Sequence, residues 1–329
     1  MGTKRKVMAS ADAELMTVEA ALDEFIEEKV ALNKSKSTIN NYLQSVRLFM
    51  EFHKMDSDTT LDEIGVGHFM KWSNKLKTLD VSISSINHYL RDCRAFFYWC
   101  MAEERGYLKQ FKIQMLGAQE EQLKLFTDEE IEALLEKPRK PTAKNNNFTE
   151  WRNYMVVNWI LATGNRCATI VEVQIGDINF NSREIVLRHT KNKKAQTIPL
   201  STSLETALKE YIRMFRKGAG KEGWLFPNVG EEQLTTNALR HSFQSYCAAR
   251  GVESTNLHGL RHNFAKMWIR NNGDTFRLQK LLGHSDLAMT RKYVKLFSED
   301  LKDDFDKFNP LDNIKRNTTR RKNVRFDID

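Results

Sequence analysis

Apolar positions recur at helical spacing in four segments of the first hundred residues. The first segment begins near Leu15, the second follows Ser35, the third surrounds Trp72, and the fourth begins near Ser82. A Ser or Thr before such a run is a typical N-cap, because its side-chain oxygen accepts a hydrogen bond from the first turn. The pattern predicts a small helical bundle. Its predicted core aromatics are Phe25, Phe49, Trp72, Phe96 and Trp99.

The periodicity changes after this bundle. It weakens between Gly106 and Leu125, which predicts a linker, and a capped helix then starts at Phe126-Thr127. Helical patterns fill most of the remainder, but residues 175–200 read as three short strands joined by tight polar turns. We therefore predict a mainly α protein of two domains. The first is a four-helix domain, and the second is mostly helical with a small antiparallel three-stranded sheet.

These changes divide the 329 residues into five segments. We predict a flexible basic arm (1–13), a helical domain (14–107), a linker (108–125), a second domain (126–310) and a basic tail (311–329). The end of the second domain carries an apolar stripe at helical spacing, which predicts an amphipathic helix. The stripe consists of Leu296, Phe297, Leu301, Phe305 and Phe308.

The charge and the cysteines narrow the class of protein. Lys and Arg number 51 against 43 Asp and Glu, a formal net charge of +8. This excess favours a polyanionic partner, and nucleic acid comes first, although charge alone does not establish it. The four cysteines include no Cys-x-x-Cys pair, and no apolar run is long enough to cross a bilayer. We expect a cytoplasmic protein with no membrane partner.

One stretch near the end of the second domain carries the candidate chemistry. It reads His258-Gly-Leu-Arg261, then Leu-Gly-His284, then Tyr293. A guanidinium can hold two phosphate oxygens through its planar fork of donors, and imidazoles exchange protons near neutral pH. A tyrosine hydroxyl can be a covalent nucleophile where positive charge offsets the charge that develops. Together these groups suit phosphoryl transfer by a tyrosine.

The order and spacing of these residues resemble the C-terminal signature of the tyrosine recombinases, the phage integrase family. Upstream, Thr163-Gly-Asn-Arg166 resembles the family's Thr-Gly-x-Arg motif. The turn at 191–194 stands where the family has a mobile β-hairpin that delivers a lysine; Lys191 is the match and Lys193 the alternative. Residues 14–107 resemble the family's SAM-like core-binding domain, which binds DNA, and 126–310 its catalytic domain. The implied active-site residues are Arg166, Lys191, His258, Arg261, His284 and Tyr293.

The resemblance implies a site-specific recombinase that cuts and rejoins double-stranded DNA recombination sites through a 3′-phosphotyrosine intermediate. Tyr293 would attack the phosphorus while Arg166 and Arg261 hold the non-bridging oxygens. Lys191 would protonate the departing 5′ oxygen. No ATP, metal or other cofactor would be needed, because the phosphotyrosine conserves the bond energy.

The resemblance also gives the two histidines roles. His258 would assist proton transfer at the nucleophile, and His284 would donate to a phosphate oxygen. His258 and His262 are four residues apart, as in a zinc-binding helix, but no acid lies between them to act as a base. Four protomers would act together on DNA by exchanging the C-terminal helix. An accessory directionality factor is a further possible partner.

Several alternatives stay open at this point. The family commonly has an acidic residue three positions after its first arginine, where this chain has Thr169; Glu172 is one helical turn later and could substitute. This departure and the basic tail favour integration or excision of a mobile element over Xer-like resolution of chromosome or plasmid dimers. A topoisomerase of the same chemistry and a catalytically idle DNA-binding accessory factor are further candidates. A zinc nuclease is disfavoured because no ligand cluster is visible.

Overall fold

The computed structural model describes residues 15–117, 124–142, 146–188, 195–283, 290, 291 and 293. The chain divides into two compact units, Met1–Glu121 and Gln122–Asp329. This division falls inside the predicted linker, and the predicted domain limits themselves stay a prediction. None of the helices in the described ranges is both long and apolar enough to span a membrane.

The first unit is a four-helix bundle in its described part, as predicted. The side-chain oxygens of Thr17, Ser35 and Ser82 accept hydrogen bonds from backbone N–H groups in the first turns of three of the helices. A 3₁₀ turn, Leu61–Glu63, lies between the second and third helices. The helices are α1 (Val18–Ala31), α2 (Lys36–His53), α3 (Val66–Thr78) and α4 (Ile83–Cys100).

The core of the bundle is aromatic. All five predicted side chains are buried, which confirms the periodicity argument. Phe25 contacts Phe96 and Trp99 edge-on at 5.5 Å between ring centroids. Each buried large apolar side chain contributes about 1.5–3 kcal/mol to stability. Leu108 and Ile113, which follow α4 in the predicted linker, are also buried in this core.

The second unit is mostly helical around one antiparallel sheet, which confirms the predicted fold class. The three strands lie side by side in their chain order, and Ile185 of the central strand lies opposite both Ile178 and Ile198. A π-helical turn, Ile212–Arg216, follows the eighth helix. The elements are α5 (Asp128–Leu134), α6 (Phe148–Thr163), α7 (Cys167–Ile170), β1 (Ile178–Asn179), β2 (Glu184–Leu187), β3 (Gln196–Pro199), α8 (Thr202–Tyr211), α9 (Thr236–Ala248), α10 (Leu257–Arg270) and α11 (Thr275–Leu282).

Helix α6 is the centre of this unit and contacts α8, α9 and α10. Its buried face includes polar side chains as well as apolar ones. Arg152 donates to the carbonyl of Pro227 and to the hydroxyl of Ser242, and Asn153 also bonds Ser242. These bonds satisfy polar groups that would otherwise be costly to bury. The helix is therefore held from several sides, which fixes the position of its C-terminal end.

A side-chain amide fastens the start of this unit to α10. The backbone N–H of Phe126 donates to Asn263 Oδ1 at 2.9 Å, and Asn263 Nδ2 donates to the carbonyl of Phe126 at 2.8 Å. Asn263 is completely buried. One turn earlier, Gly259 allows close approach, because a Cβ there would lie 2.9 Å from the Phe126 ring and 3.0 Å from the carbonyl oxygen of Lys124.

Candidate active site

The turn that ends α6 places Arg166. Gly164 has φ +64°, a left-handed conformation that glycine adopts without a Cβ penalty. Asn165, the residue after this glycine, is held by a hydrogen bond that Trp159 Nε1 donates to its Oδ1 at 3.0 Å. Arg166 then caps α7 in an extended conformation. Its Nη1 donates to the carbonyl of Leu282 at 3.5 Å.

Arg261 on α10 is buried between the ends of two other helices. Its Nη1 donates to the carbonyl of Gly164 at 2.7 Å, and its Nη2 donates to the carbonyl of Leu282 at 2.9 Å. These carbonyls end α6 and α11, where the helix dipoles are negative, and both helices terminate in a left-handed glycine. Arg261 therefore joins three helices. It shares the Leu282 carbonyl with Arg166.

Tyr293 lies close enough to both arginines for their charges to act on its hydroxyl. It is 5% exposed and packs in an apolar cluster with Phe264, Leu278 and Leu282. Its hydroxyl oxygen is 2.7 Å from Nδ1 of His262. The hydroxyl is therefore positioned by the packing of the tyrosine ring and by its hydrogen bond to His262 of α10.

The two histidines of α10 are stacked one turn apart. The rings of His258 and His262 meet edge to face, with 4.6 Å between their centroids. The centroids of His262 and Tyr293 are 5.6 Å apart. His262 thus lies between the phenol and the more exposed His258.

Burial and charge act against each other at this site. Burial raises the pKa of Tyr293, and the positive charges of Arg261 and Arg166 oppose that rise. Burial lowers the pKa of Arg261 to about 10, and repulsion by Arg166 acts in the same direction. Burial also lowers the pKa of Arg166. Both guanidinium groups stay charged at neutral pH, and their mutual repulsion favours an anion between or beside them.

The histidines are uncharged at neutral pH. Desolvation by the surrounding protein lowers the pKa of His258 to about 4, and repulsion by protonated His262, by Arg261 and by Arg166 acts in the same direction. Burial lowers the pKa of His262, and the charge of Arg261 adds to this effect. Neutral imidazoles can accept a proton, which suits them to a site where a hydroxyl must lose one.

Sequence models of two families match the chain. The phage integrase family matches residues 124–300, and the phage integrase N-terminal SAM-like domain matches residues 21–106. The chain belongs to the phage integrase family of tyrosine recombinases. Membership in this family supports site-specific DNA recombination.

Named relatives of this recombinase span nearly its whole length. The tyrosine recombinase XerA of Pyrococcus furiosus is 28% identical over 297 residues, which are 89% of this chain and 95% of XerA. The tyrosine recombinase XerC of Staphylococcus aureus is 24% identical over 282 residues, 83% of this chain and 91% of XerC.

Solved structures show the same fold. The Tn1549 transposon integrase in complex with a circular intermediate DNA has a TM-score of 0.68 at 19% identity, over 84% of this chain and 95% of that one. A lambda integrase dimer bound to a COC′ core site has a TM-score of 0.65 at 16% identity, over 84% of this chain and 77% of that one. XerH bound to a palindromic difH substrate has a TM-score of 0.65 at 21% identity, over 86% of this chain and 82% of that one.

The structure brings four of the sequence-predicted site residues of this recombinase into one cluster. Arg166 and Arg261 share the Leu282 carbonyl, and Tyr293 packs in the same cluster as Leu282. His258 joins them through His262, which contacts both His258 and Tyr293. Lys191, its alternative Lys193 and His284 lie outside the described residues. The individual roles stay predictions. Across the described ranges, no group of three or more His, Cys, Asp or Glu side chains is placed to hold a metal ion.

Sequence reasoning missed His262 as a partner of the nucleophile. It weighed His262 only as a zinc ligand and placed His258 at the nucleophile instead. The hydrogen bond to Tyr293 spans 31 positions in the chain, so no local pattern reveals it. The available signal was helical spacing, which puts His262 on the same face as His258 and one residue after Arg261.

Two charged residues, Glu172 and Arg188, lie between Arg166 and Lys191 in the sequence. Glu172 lines a cavity of about 250 Å³ together with Gln174, Arg188, Trp224 and Gln233. No hydrogen bond or ion pair joins Glu172 to Arg166 within the described ranges, so its proposed substitution for the missing acid gains no support.

Arg188, which follows β2, donates from Nε to the buried Asp177 at 2.5 Å. This ion pair holds the residue that follows β2.

Gly164→Ala is expected to destabilise the protein by about 2–5 kcal/mol, from left-handed strain of about 1–2 kcal/mol and overpacking of about 1–3 kcal/mol. The new Cβ would lie 2.5 Å from Phe264 Cδ1 and 2.7 Å from Leu282 Cδ2. The matched control is Gly251→Ala, where φ is +67° and nothing lies within 4 Å. It is expected to cost about 1–2 kcal/mol. Denaturant unfolding measures both variants, and equal losses would contradict a packing role for Gly164.

Proposed function

We propose that this chain is a site-specific DNA recombinase that cuts and rejoins DNA through a 3′-phosphotyrosine at Tyr293. The observation that carries the proposal is that buried Tyr293 packs in the same cluster as Leu282, whose carbonyl accepts hydrogen bonds from both Arg166 and Arg261. A phenol needs a nearby positive charge to act as a nucleophile on a phosphodiester, because its ordinary pKa is about 10. Arg166 and Arg261 supply that charge.

The proposed mechanism begins with attack of Tyr293 Oη on the phosphorus. Negative charge grows on the non-bridging oxygens in the transition state, and Arg166 and Arg261 bind these oxygens. The carbonyl contacts of Arg261 hold its plane fixed before DNA binds, so little reorganisation is needed. One such donor typically contributes about 2.7–4 kcal/mol to the barrier reduction.

His258 is proposed to assist proton transfer at the nucleophile, and the two remaining roles fall on residues outside the described ranges. Lys191 is proposed to protonate the departing 5′ oxygen, with Lys193 as the alternative. His284 is proposed to donate to a phosphate oxygen. No metal or ATP enters the proposed reaction, since the phosphotyrosine conserves the bond energy.

The proposed partner is duplex DNA that carries recombination sites. The net charge of +8 suits a polyanion. Similar structures are described as complexes with a transposon circular intermediate, a COC′ core site and a difH substrate. Residues 14–107 are proposed as the core-binding domain. A tetramer that exchanges its C-terminal helix, and an accessory directionality factor, are further proposals about segments outside the described residues.

The proposed biological role is integration or excision of a mobile element. Thr169 at the usual acidic position and the basic composition of residues 311–329 favour it, and the Tn1549 transposon integrase shares the fold. The second candidate is Xer-type resolution of chromosome or plasmid dimers. It is favoured by the named relatives XerA and XerC, which align with most of the chain.

A covalent-capture assay tests the proposed function. A nicked duplex is built on the junction sequence recovered from cells that express the protein beside its flanking DNA. Incubation in EDTA is expected to yield a protein–DNA adduct that survives heating in detergent and disappears with protease. Cleavage that requires added metal and leaves no adduct would contradict the proposal and favour a nuclease. Binding without an adduct would favour an idle accessory factor.

A further inference from the structure

The phenol of Tyr293 is bonded to a histidine that the family resemblance assigns no role. Its Oη lies 2.7 Å from Nδ1 of His262, a normal distance for a strong neutral hydrogen bond. The two rings lie 5.6 Å apart at an interplanar angle of 49°. Tyr293 is buried and His262 half-buried, so the bond lies in a partly desolvated site where such an interaction is strengthened.

We propose that His262 is the general base that takes the phenolic proton from Tyr293 as its oxygen attacks the phosphorus. The inference rests on the proposed function. It assigns the proton acceptor of that same site to a residue other than His258.

The proton balance of the step is complete. The Oη–H bond of Tyr293 breaks as the Oη–P bond forms, and the proton moves to Nδ1 of His262. The P–O5′ bond breaks, and the departing oxygen takes a proton from the general acid proposed above, Lys191. In rejoining, the 5′ hydroxyl returns its proton to the acid, and His262 gives its own back to Tyr293. Over the cleavage step the protein therefore gives up one proton, which moves from Lys191 to the 5′ hydroxyl, while the proton of Tyr293 stays on His262.

The charges around His262 suit this role. In the described residues, it faces His258 and Arg261 on α10 and the phenol of Tyr293, while Arg166 lies beside the same phenol. Burial and the charge of Arg261 lower the pKa of His262 below its usual value, which keeps Nδ1 available at neutral pH. In the transition state, the negative charge that grows on the non-bridging oxygens compensates the imidazolium that forms.

His258 is placed differently. Its backbone N–H donates to Asn256 Oδ1 in the first turn of α10, and its ring meets His262 edge to face. The ring of His262 therefore lies between His258 and the phenol, and His258 is the more exposed of the two histidines. This position suits a group that supports His262 or exchanges its proton with water, and it makes His258 the matched comparison for a test.

The test measures the single-turnover rate of adduct formation on the nicked duplex between pH 5 and 9. His262→Asn keeps an acceptor oxygen near the Nδ1 position but cannot take the proton, and His262→Gln is a second non-titrating variant should the first fold poorly. At pH 7 both are expected to cleave about 10²–10⁴-fold more slowly than the unaltered protein. Thermal unfolding and DNA binding verify that each variant is folded.

The shape of the pH profile separates catalysis from structure. The unaltered protein is expected to lose activity at a pH below the ordinary imidazole pKa of about 6.5, because the pKa of His262 is lowered and protonated His262 accepts no proton. The His262 variants are expected to lack this acid limb. Their rates should instead rise about tenfold per pH unit, because the phenolate then forms by direct ionisation. His258→Asn is expected to lower the rate and keep the acid limb.

Three results would overturn the inference. One is a His262→Asn rate close to that of the unaltered protein at pH 7. The second is a loss of equal size at every pH with the acid limb intact, which would mark a structural role. The third is loss of the limb in His258→Asn alone. Failure of the proposed function looks different, because then the unaltered protein forms no adduct or Tyr293→Phe still forms one.

Discussion

Tyr293→Phe is expected to bind its DNA site with unchanged affinity and to form no covalent complex. The substitution removes only the nucleophilic oxygen, and the ring keeps its packing against Phe264, Leu278 and Leu282. Loss of the hydrogen bond to His262 should cost about 0.5–1.5 kcal/mol of stability. Gel shift measures binding, and a denaturing gel measures the adduct. The expected loss of cleavage is complete within detection.

The chain offers a matched control for this substitution. Tyr246 is also buried, and its hydroxyl donates to the carbonyl of Leu134 at 2.8 Å. Tyr246→Phe should cost a similar amount of stability, or slightly more because the acceptor is left buried, and it should still form the adduct. A protease-sensitive, heat-stable adduct from Tyr293→Phe would mean that another residue is the nucleophile.

Arg261→Lys is expected to slow cleavage by about 10²–10³-fold, although the charge is retained. A lysine presents a single ammonium group and cannot reproduce the planar fork that reaches the carbonyls of Gly164 and Leu282. The buried carbonyls lose donors, which should lower stability by about 1–3 kcal/mol. The rate is measured below the unfolding transition, so that the chemical step is compared in folded protein.

Arg152→Lys separates the two effects. Arg152 is also buried and also donates to a backbone carbonyl, that of Pro227, and to a side-chain hydroxyl. Its replacement should lower stability by a similar amount while the cleavage rate of the folded protein stays within a few-fold. Equal slowing by both variants would indicate that Arg261 acts through stability alone.

Local patterns gave much of the fold because the physics behind them is local. Helical spacing placed Phe25, Phe49 and Trp72 in a core, and Ser35 capped a helix where its position suggested. Strand-like patterns and polar turns gave the three-stranded meander. The Thr-Gly-x-Arg motif could be recognised for a similar reason. The chain makes a left-handed turn at Gly164, two residues before Arg166, and glycine is the residue that favours such a turn.

Contacts between distant segments could not be read in this way. The carbonyl partners of Arg261 lie 97 and 21 positions away in the chain. These carbonyls can accept from Arg261 because the last carbonyls of a helix have no partner within the helix. Arg152 and Asn153 are buried on α6, although the sequence pattern revealed only the apolar face of that helix. Their partner Ser242 lies about 90 positions further along the chain. The pairing of Tyr293 with His262 joins positions 31 residues apart.

The amide pair between Asn263 and Phe126 sets where an isolated catalytic fragment can begin. A truncation that removes Phe126 strips both partners from a buried side chain on the helix that carries Arg261 and His262. Each orphaned polar group would cost about 1–3 kcal/mol, a sizeable part of the stability of one domain. Expression boundaries for such fragments therefore belong upstream of Lys124, whose carbonyl also borders Gly259.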